Sequence, residues 1–218
     1  LGDLPVLIRI SSHSALWSGV RENAARQSLS GKYAVADKKA FEKSLSDLGL
    51  DYLDLYLVHW PIPLDYKDCW QEANNETWRA FEKLYKDGKV RAIGVSNFKE
   101  HHLKPLMENA SIMPMVNQIE CNPGFMQTET REFCAKHNIL IEGWAPFKVT
   151  AAFKHRQVKE VAEKYGKSEA QVLLRFYLQQ NILPLPKSVT PERIKSNIDV
   201  FDFKLNKEDI EYINQVTV

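Results

Sequence analysis

The strongest constraint on the fold is a repeated order of elements. From about residue 38, short apolar runs alternate with segments of helical spacing. The runs are "LDLYLVHWP" (53–61), "VRAIGVSNF" (90–98), "MVNQIE" (115–120), "ILIEGWAPF" (139–147) and "ILPLPK" (182–187). Near-continuous apolar character predicts strands covered on both faces, the condition of a parallel sheet flanked by helices.

The helical segments carry their own punctuation. Ala40, Phe41, Leu45 and Leu48 recur at helical spacing before Gly49, and Trp78, Phe81, Leu84 and Tyr85 precede Asp87-Gly88. Residues 100–109 and 128–137 read as two more helices. Val158, Val161, Ala162 and Tyr165 lie at i, i+3, i+4 and i+7, with Gly166 as the stop. Ser168 and Gln171 form a capping-box pair, Thr190 and Pro191 an N-cap followed by a first-turn proline, and Asn206 opens a last helix. Glu82, Lys83, Lys86 and the "KEVAEK" run read as solvated helix faces.

Repeated βα units without a G-x-G-x-x-G turn favour an α/β (β/α)8 TIM barrel over a doubly wound sheet. Five strands fall within residues 51–187, whereas the first 37 residues fit neither period, apart from "LPVLIRI" (4–10) as one possible strand. A complete eight-unit barrel runs to ~250 residues. The expectation is therefore one barrel domain over 1–218, with N-terminal βα units missing or incomplete.

Composition narrows the partners. Twenty-nine basic residues against 28 acidic ones give a net charge of +1, with no basic block to attract nucleic acid or an anionic membrane. Cys69, Cys121 and Cys134 have no metal-type or paired spacing, which suits a reducing compartment. No apolar run reaches the ~20 residues of a membrane span, and no signal-peptide pattern opens the chain. A cytoplasmic protein with no metal is the expectation.

In a barrel the C-terminal ends of the strands hold the site. Here those ends carry His59-Trp60, Ser96-Asn97, Gln118 with Asn117 and Glu120, Trp144, and Lys187-Ser188. Singly, each has a structural reading: a core histidine bonded to a carbonyl, helix caps at Ser96 and Asn97, a buried amide at Gln118, packing tryptophans. Five polar strand ends in succession favour a site. The last is the most specific, because "PKSVTPERIKSN" sets Lys187 and Ser188 before a helix N-terminus, with Arg193 in its first turn. Unpaired N–H groups, the helix dipole and Arg together favour an anion such as phosphate. The alternative is a capped helix with surface charge.

Together, "LGLDYLDLYLVHWP", "GKVRAIGVSNF", "VNQIECNP" and "LPKSVTPERIKSNI" resemble the aldo-keto reductase family over residues 38–215, with 1–37 matching poorly. The resemblance implies a (β/α)8 barrel that reduces aldehydes or ketones to alcohols with NADPH. It implies that His59 is the catalytic histidine that orients the substrate carbonyl. Ser96, Asn97 and Gln118 would bond the nicotinamide carboxamide, and Trp144, more often tyrosine in the family, would stack on its ring. Lys187, Ser188, Arg193 and Asn197 would hold the 2′-phosphate and adenine, which favours NADP(H) over NAD. Trp60, with Trp17, would line an apolar substrate pocket. A monomer or weak oligomer is expected.

The sequence departs from the family at the proton donor. No Asp-Thr-Ala-x-x-x-Tyr-like segment is present, and the surroundings of Lys32 and Tyr33 do not match, so neither is assigned. His59 is then one of four expected catalytic residues. If the chain is whole, activity should be poor; if segments are missing, the parent is an ordinary reductase. The rival reading is a non-catalytic NADPH-binding regulatory barrel. The stop at Val218, shortly after the last helix, gives no expectation of a long substrate-covering tail.

Overall fold

The computed structural model describes residues 41–62, 67–148 and 151–217. The strand expected at 4–10, together with Trp17, Lys32 and Tyr33, lies outside the described residues. The chain divides into two compact units, Leu1–Val116 and Asn117–Val218.

In the first unit, residues 41–48 are helical and Gly49 ends them at φ +63, a left-handed value that glycine adopts without steric cost. Strand β1 (Tyr56–Val58), helix α1 (Trp70–Lys86), strand β2 (Ile93–Ser96) and helix α2 (Glu100–Asn109) follow, as does the start of β3 (Val116–Glu120). β1 and β2 are parallel, with Tyr56 opposite Ile93 and Val58 opposite Val95. Met115 N–H donates to Ile93 O at 2.9 Å, so the approach to β3 lies beside β2. Each strand is shorter than its apolar run. The core of this unit is aromatic. Phe41 meets Tyr56 edge-on at 5.4 Å, and Phe81 lies 4.5 Å from Tyr56.

One expectation is corrected here. Glu82 is buried, not solvated: its Oε1 accepts from the N–H groups of Ser111 at 2.6 Å and Ile112 at 2.8 Å. Two backbone donors compensate a carboxylate's lost water, so α1 can turn this side chain inward. The Trp78 indole N–H adds a third tie to the same loop through Ile112 O, at 2.9 Å.

In the second unit the order is β3, β4 (Leu140–Trp144) and β5 (Ile182–Leu185). The helices are α3 (Thr128–Lys136), α4 (Arg156–Tyr165), α5 (Glu169–Leu178), α6 (Pro191–Ile198) and α7 (Lys207–Asn214). β4 and β5 pair in parallel, Glu142 opposite Leu183 and Trp144 opposite Leu185. Gly166 does stop α4, in the left-handed region, and Ser168 and Gln171 do form a reciprocal capping box on α5. Asn206 caps α7 by accepting from Asp209 N–H at 2.8 Å. Asp209 in turn receives Lys164 Nζ at 2.8 Å and the Tyr165 hydroxyl at 2.7 Å, which fastens α7 to α4. Thr190 sits at the N-cap of α6, but its hydroxyl makes no capping bond.

Candidate functional site

In the first unit the site is built on the tips of β1 and β2. Because Val58 faces Val95 in register, the next residues, His59 just past β1 and Ser96 at the end of β2, lie side by side. Asn97 then takes φ +64. A non-glycine residue pays roughly 1 kcal/mol for that conformation, and Asn tolerates it better than most. Its side chain explains why the turn holds: Asn97 Nδ2 donates to His59 O at 3.2 Å and to Ser96 Oγ at 3.1 Å. Ser96 is buried, while His59 and Asn97 are half-buried. Trp60 is 52% exposed, its ring 6.0 Å from the His59 ring. The following Pro61 is anchored from α1, where the buried Asn74 amide donates to its carbonyl at 2.9 Å.

Ser96 and Asn97 do not cap α2, which removes their helix-cap reading. The N-cap is Lys99, and its N–H donates to His102 Nδ1 at 3.1 Å. Burial, then the neighbouring His101 and Lys99, lowers the His102 pKa to about 4, so the ring accepts this bond as neutral imidazole.

In the second unit, successive residues of β3 point to opposite faces. The Asn117 amide lies 3.6 Å from Cys134 Sγ on α3, so Gln118 faces away from that helix. There its Nε2 donates to Glu142 Oε2 at 2.8 Å. Glu142 and Trp144 share a face of β4 by the same alternation. Trp144 is half-buried, and its carbonyl accepts from Cys121 N–H at 3.1 Å. The chain then bends through Ala145 at φ +53, held by the Tyr177 hydroxyl donating to Pro146 O at 2.8 Å. Cys121 and Cys134 are not nucleophiles at neutral pH, because burial pushes both thiols up, Cys121 to about 12.

β5 leads to Lys187 and Ser188. The Ser188 hydroxyl accepts from Thr190 N–H at 3.2 Å and shapes the entry to α6. Lys187 and Arg193 are exposed and make no hydrogen bond or ion pair among the described residues. Asn197 lies half-buried within α6. Two available cations beside a helix N-terminus suit an anionic ligand.

The structure thus brings His59, Ser96 and Asn97 together in one unit. In the other it joins Gln118 and Trp144 on neighbouring strands, and Lys187, Ser188 and Arg193 at the β5–α6 corner. Glu142 escaped the sequence reading, although an acid inside the apolar run "ILIEGWAPF" was the available signal. Among the described residues no group of three His, Cys, Asp or Glu could hold a metal ion, and no helix is long and apolar enough to cross a membrane.

The model of the Aldo/keto reductase family matches residues 23–218, reaching further back than the motifs quoted above. The chain is 50% identical over 175 residues to a glyoxal reductase of Bacillus subtilis, covering 80% of this chain and 60% of that protein. It is 39% identical over 175 residues to the methylglyoxal reductase DkgA of Escherichia coli K12, at 79% and 62% coverage. The chain therefore spans about 60% of the length of these curated relatives. Among solved structures, an aldo/keto reductase from Brucella melitensis is similar with a TM-score of 0.75 at 44% identity, covering 83% of this chain and 67% of that one. An aldo-keto reductase of Bombyx mori in complex with NADP gives 0.75 at 36% identity, with 84% and 63% covered.

Proposed function

The chain belongs to the aldo/keto reductase family, whose (β/α)8 barrel accounts for the parallel βα units, and on that premise we propose that it serves NADPH-dependent reduction of aldehydes or ketones to alcohols. The observation that carries the reading is the tip of β2. There Asn97 is held in a left-handed turn and tied to the main chain of His59, which sets an imidazole and an amide at adjacent strand ends. Strained backbone over-determined by side-chain bonds is characteristic of ligand clamps.

The donor set fits NADP(H). When bound, the cofactor supplies the hydride. In the first unit, Ser96 and Asn97 would bond its carboxamide, while His59 would orient the substrate carbonyl and stabilise the charge that develops on its oxygen. In the second, Gln118 would bond the carboxamide and Trp144 would offer its ring face. Lys187, Ser188, Arg193 and Asn197 would take the 2′-phosphate and adenine, with Arg able to grip phosphate in a bidentate way. Trp60 would line the substrate pocket. The relatives named for glyoxal and methylglyoxal support a small carbonyl compound as substrate. On this reading the protein works in the cytoplasm as a monomer or weak oligomer, without nucleic acid or membrane partners.

The test is NADPH consumption by the purified protein across a panel of small aldehydes. Turnover should fall at least about tenfold in His59→Ala, with NADPH affinity unchanged, since the imidazole acts on the carbonyl. No turnover with any aldehyde despite tight NADPH binding would sink the catalytic reading.

A further inference from the structure

We propose that Glu142 is a positioning residue that sets which end of the Gln118 amide is presented to a ligand. The inference rests on the cofactor reading above and deepens it. A carboxylate can only accept hydrogen bonds, so Gln118 must turn its NH2 group to Glu142, at 2.8 Å, and its carbonyl oxygen elsewhere. The bare amide has no such preference, because its two ends differ little in size. A ligand's carboxamide NH2 needs an acceptor, and this arrangement supplies one.

Two further observations agree. Glu142 is 2% exposed and sits in an otherwise apolar strand, where an aliphatic side chain would fill the space without the cost of burying a charge. Asn117 is turned toward Cys134 of α3, so Gln118, Glu142 and, by alternation along β4, Trp144 share the face away from that helix.

Calorimetric titration of the full chain tests this with two ligands: NADPH, and adenosine 2′,5′-bisphosphate, which has the phosphates but no nicotinamide. Glu142→Leu should weaken NADPH about tenfold, or about 1.4 kcal/mol, and leave the bisphosphate within about twofold. Gln118→Ala should do the same, and the double variant should lose little more than either single one, because both act through one bond. Glu142→Gln, which keeps the shape but can present either end to Gln118, should show a smaller loss confined to NADPH. It carries the test if the leucine variant does not fold.

Equal weakening of both ligands, full additivity in the double variant, or no loss of NADPH affinity in either Glu142 variant would overturn the proposal. Should the unaltered protein bind neither ligand, the cofactor reading fails and takes this inference with it. Normal binding by the unaltered protein with silent Glu142 variants leaves that reading standing and removes only this role.

Discussion

Asn97 bonds the main-chain oxygen of His59 at 3.2 Å, so the tip of one parallel strand is fixed by the side chain of its neighbour. The bond spans 38 residues of sequence and closes where both strands have left their ladder. Its geometry depends on a backbone conformation that most side chains resist.

That dependence separates two substitutions at one position. Asn97→Gly loses the bonds to His59 and Ser96 but accepts φ +64 freely; Asn97→Ala loses the same bonds and carries the steric cost as well. Alanine should be the less stable variant by about 1 kcal/mol in urea denaturation. NADPH affinity should fall alike in both. Equal stabilities would contradict the backbone account.

Arg193→Ala should weaken NADPH at least about tenfold and leave NADH within about twofold, since the two differ only in the 2′-phosphate. Arg193 is exposed and unpaired among the described residues, so the fold should not notice the change. Parallel titrations with both nucleotides decide it, and equal losses would remove Arg193 from the phosphate pocket.

Gly94→Ala should destabilise by about 2–3 kcal/mol. A Cβ there would stand 2.5 Å from Val116 O and 2.8 Å from Leu57 Cδ2, and the first of these is backbone that cannot swing aside. A lower denaturation midpoint with an unchanged denaturant slope is the expected signature; a shift below about 0.5 kcal/mol would contradict it.

The His102 ring gives a pH dependence of definite sign. Its pKa falls from 6.5 to about 4 on folding, so the folded chain binds fewer protons in that window than the unfolded chain. The contribution is fully present above about pH 6.5 and is lost as pH falls toward 4. His101 at 3.9 Å, Trp70 at 5.3 Å and Phe98 at 5.9 Å surround the ring, and Lys99 adds a like charge. His102→Gln keeps an acceptor for the Lys99 N–H but does not titrate. Thermal melts across this range should show a shallower acid slope for the variant.

What was legible in the sequence is what depends on near neighbours. The apolar runs announce the strands, and Gly166, the Ser168–Gln171 pair and Asn206 mark helix ends, because caps and left-handed stops are settled within a turn of chain. The parallel βα pattern and the polar strand tips follow from the same local code. His59, Ser96, Asn97, Gln118, Trp144 and Lys187 were therefore visible as candidates, although their roles were not.

Tertiary structure alone decided how several polar residues are satisfied. Glu82 and Lys83 are adjacent letters on one helix, yet Glu82 is buried against the amides of Ser111 and Ile112 while Lys83 pairs with Asp87 at the surface. Glu142 finds Gln118 across 24 residues, and Asp209 finds Lys164 across 45. Whether a charged side chain can be buried depends on a partner that will replace its water. Helical and strand periodicity specify which way a residue points, but that partner comes from a distant part of the chain, and only folding delivers it.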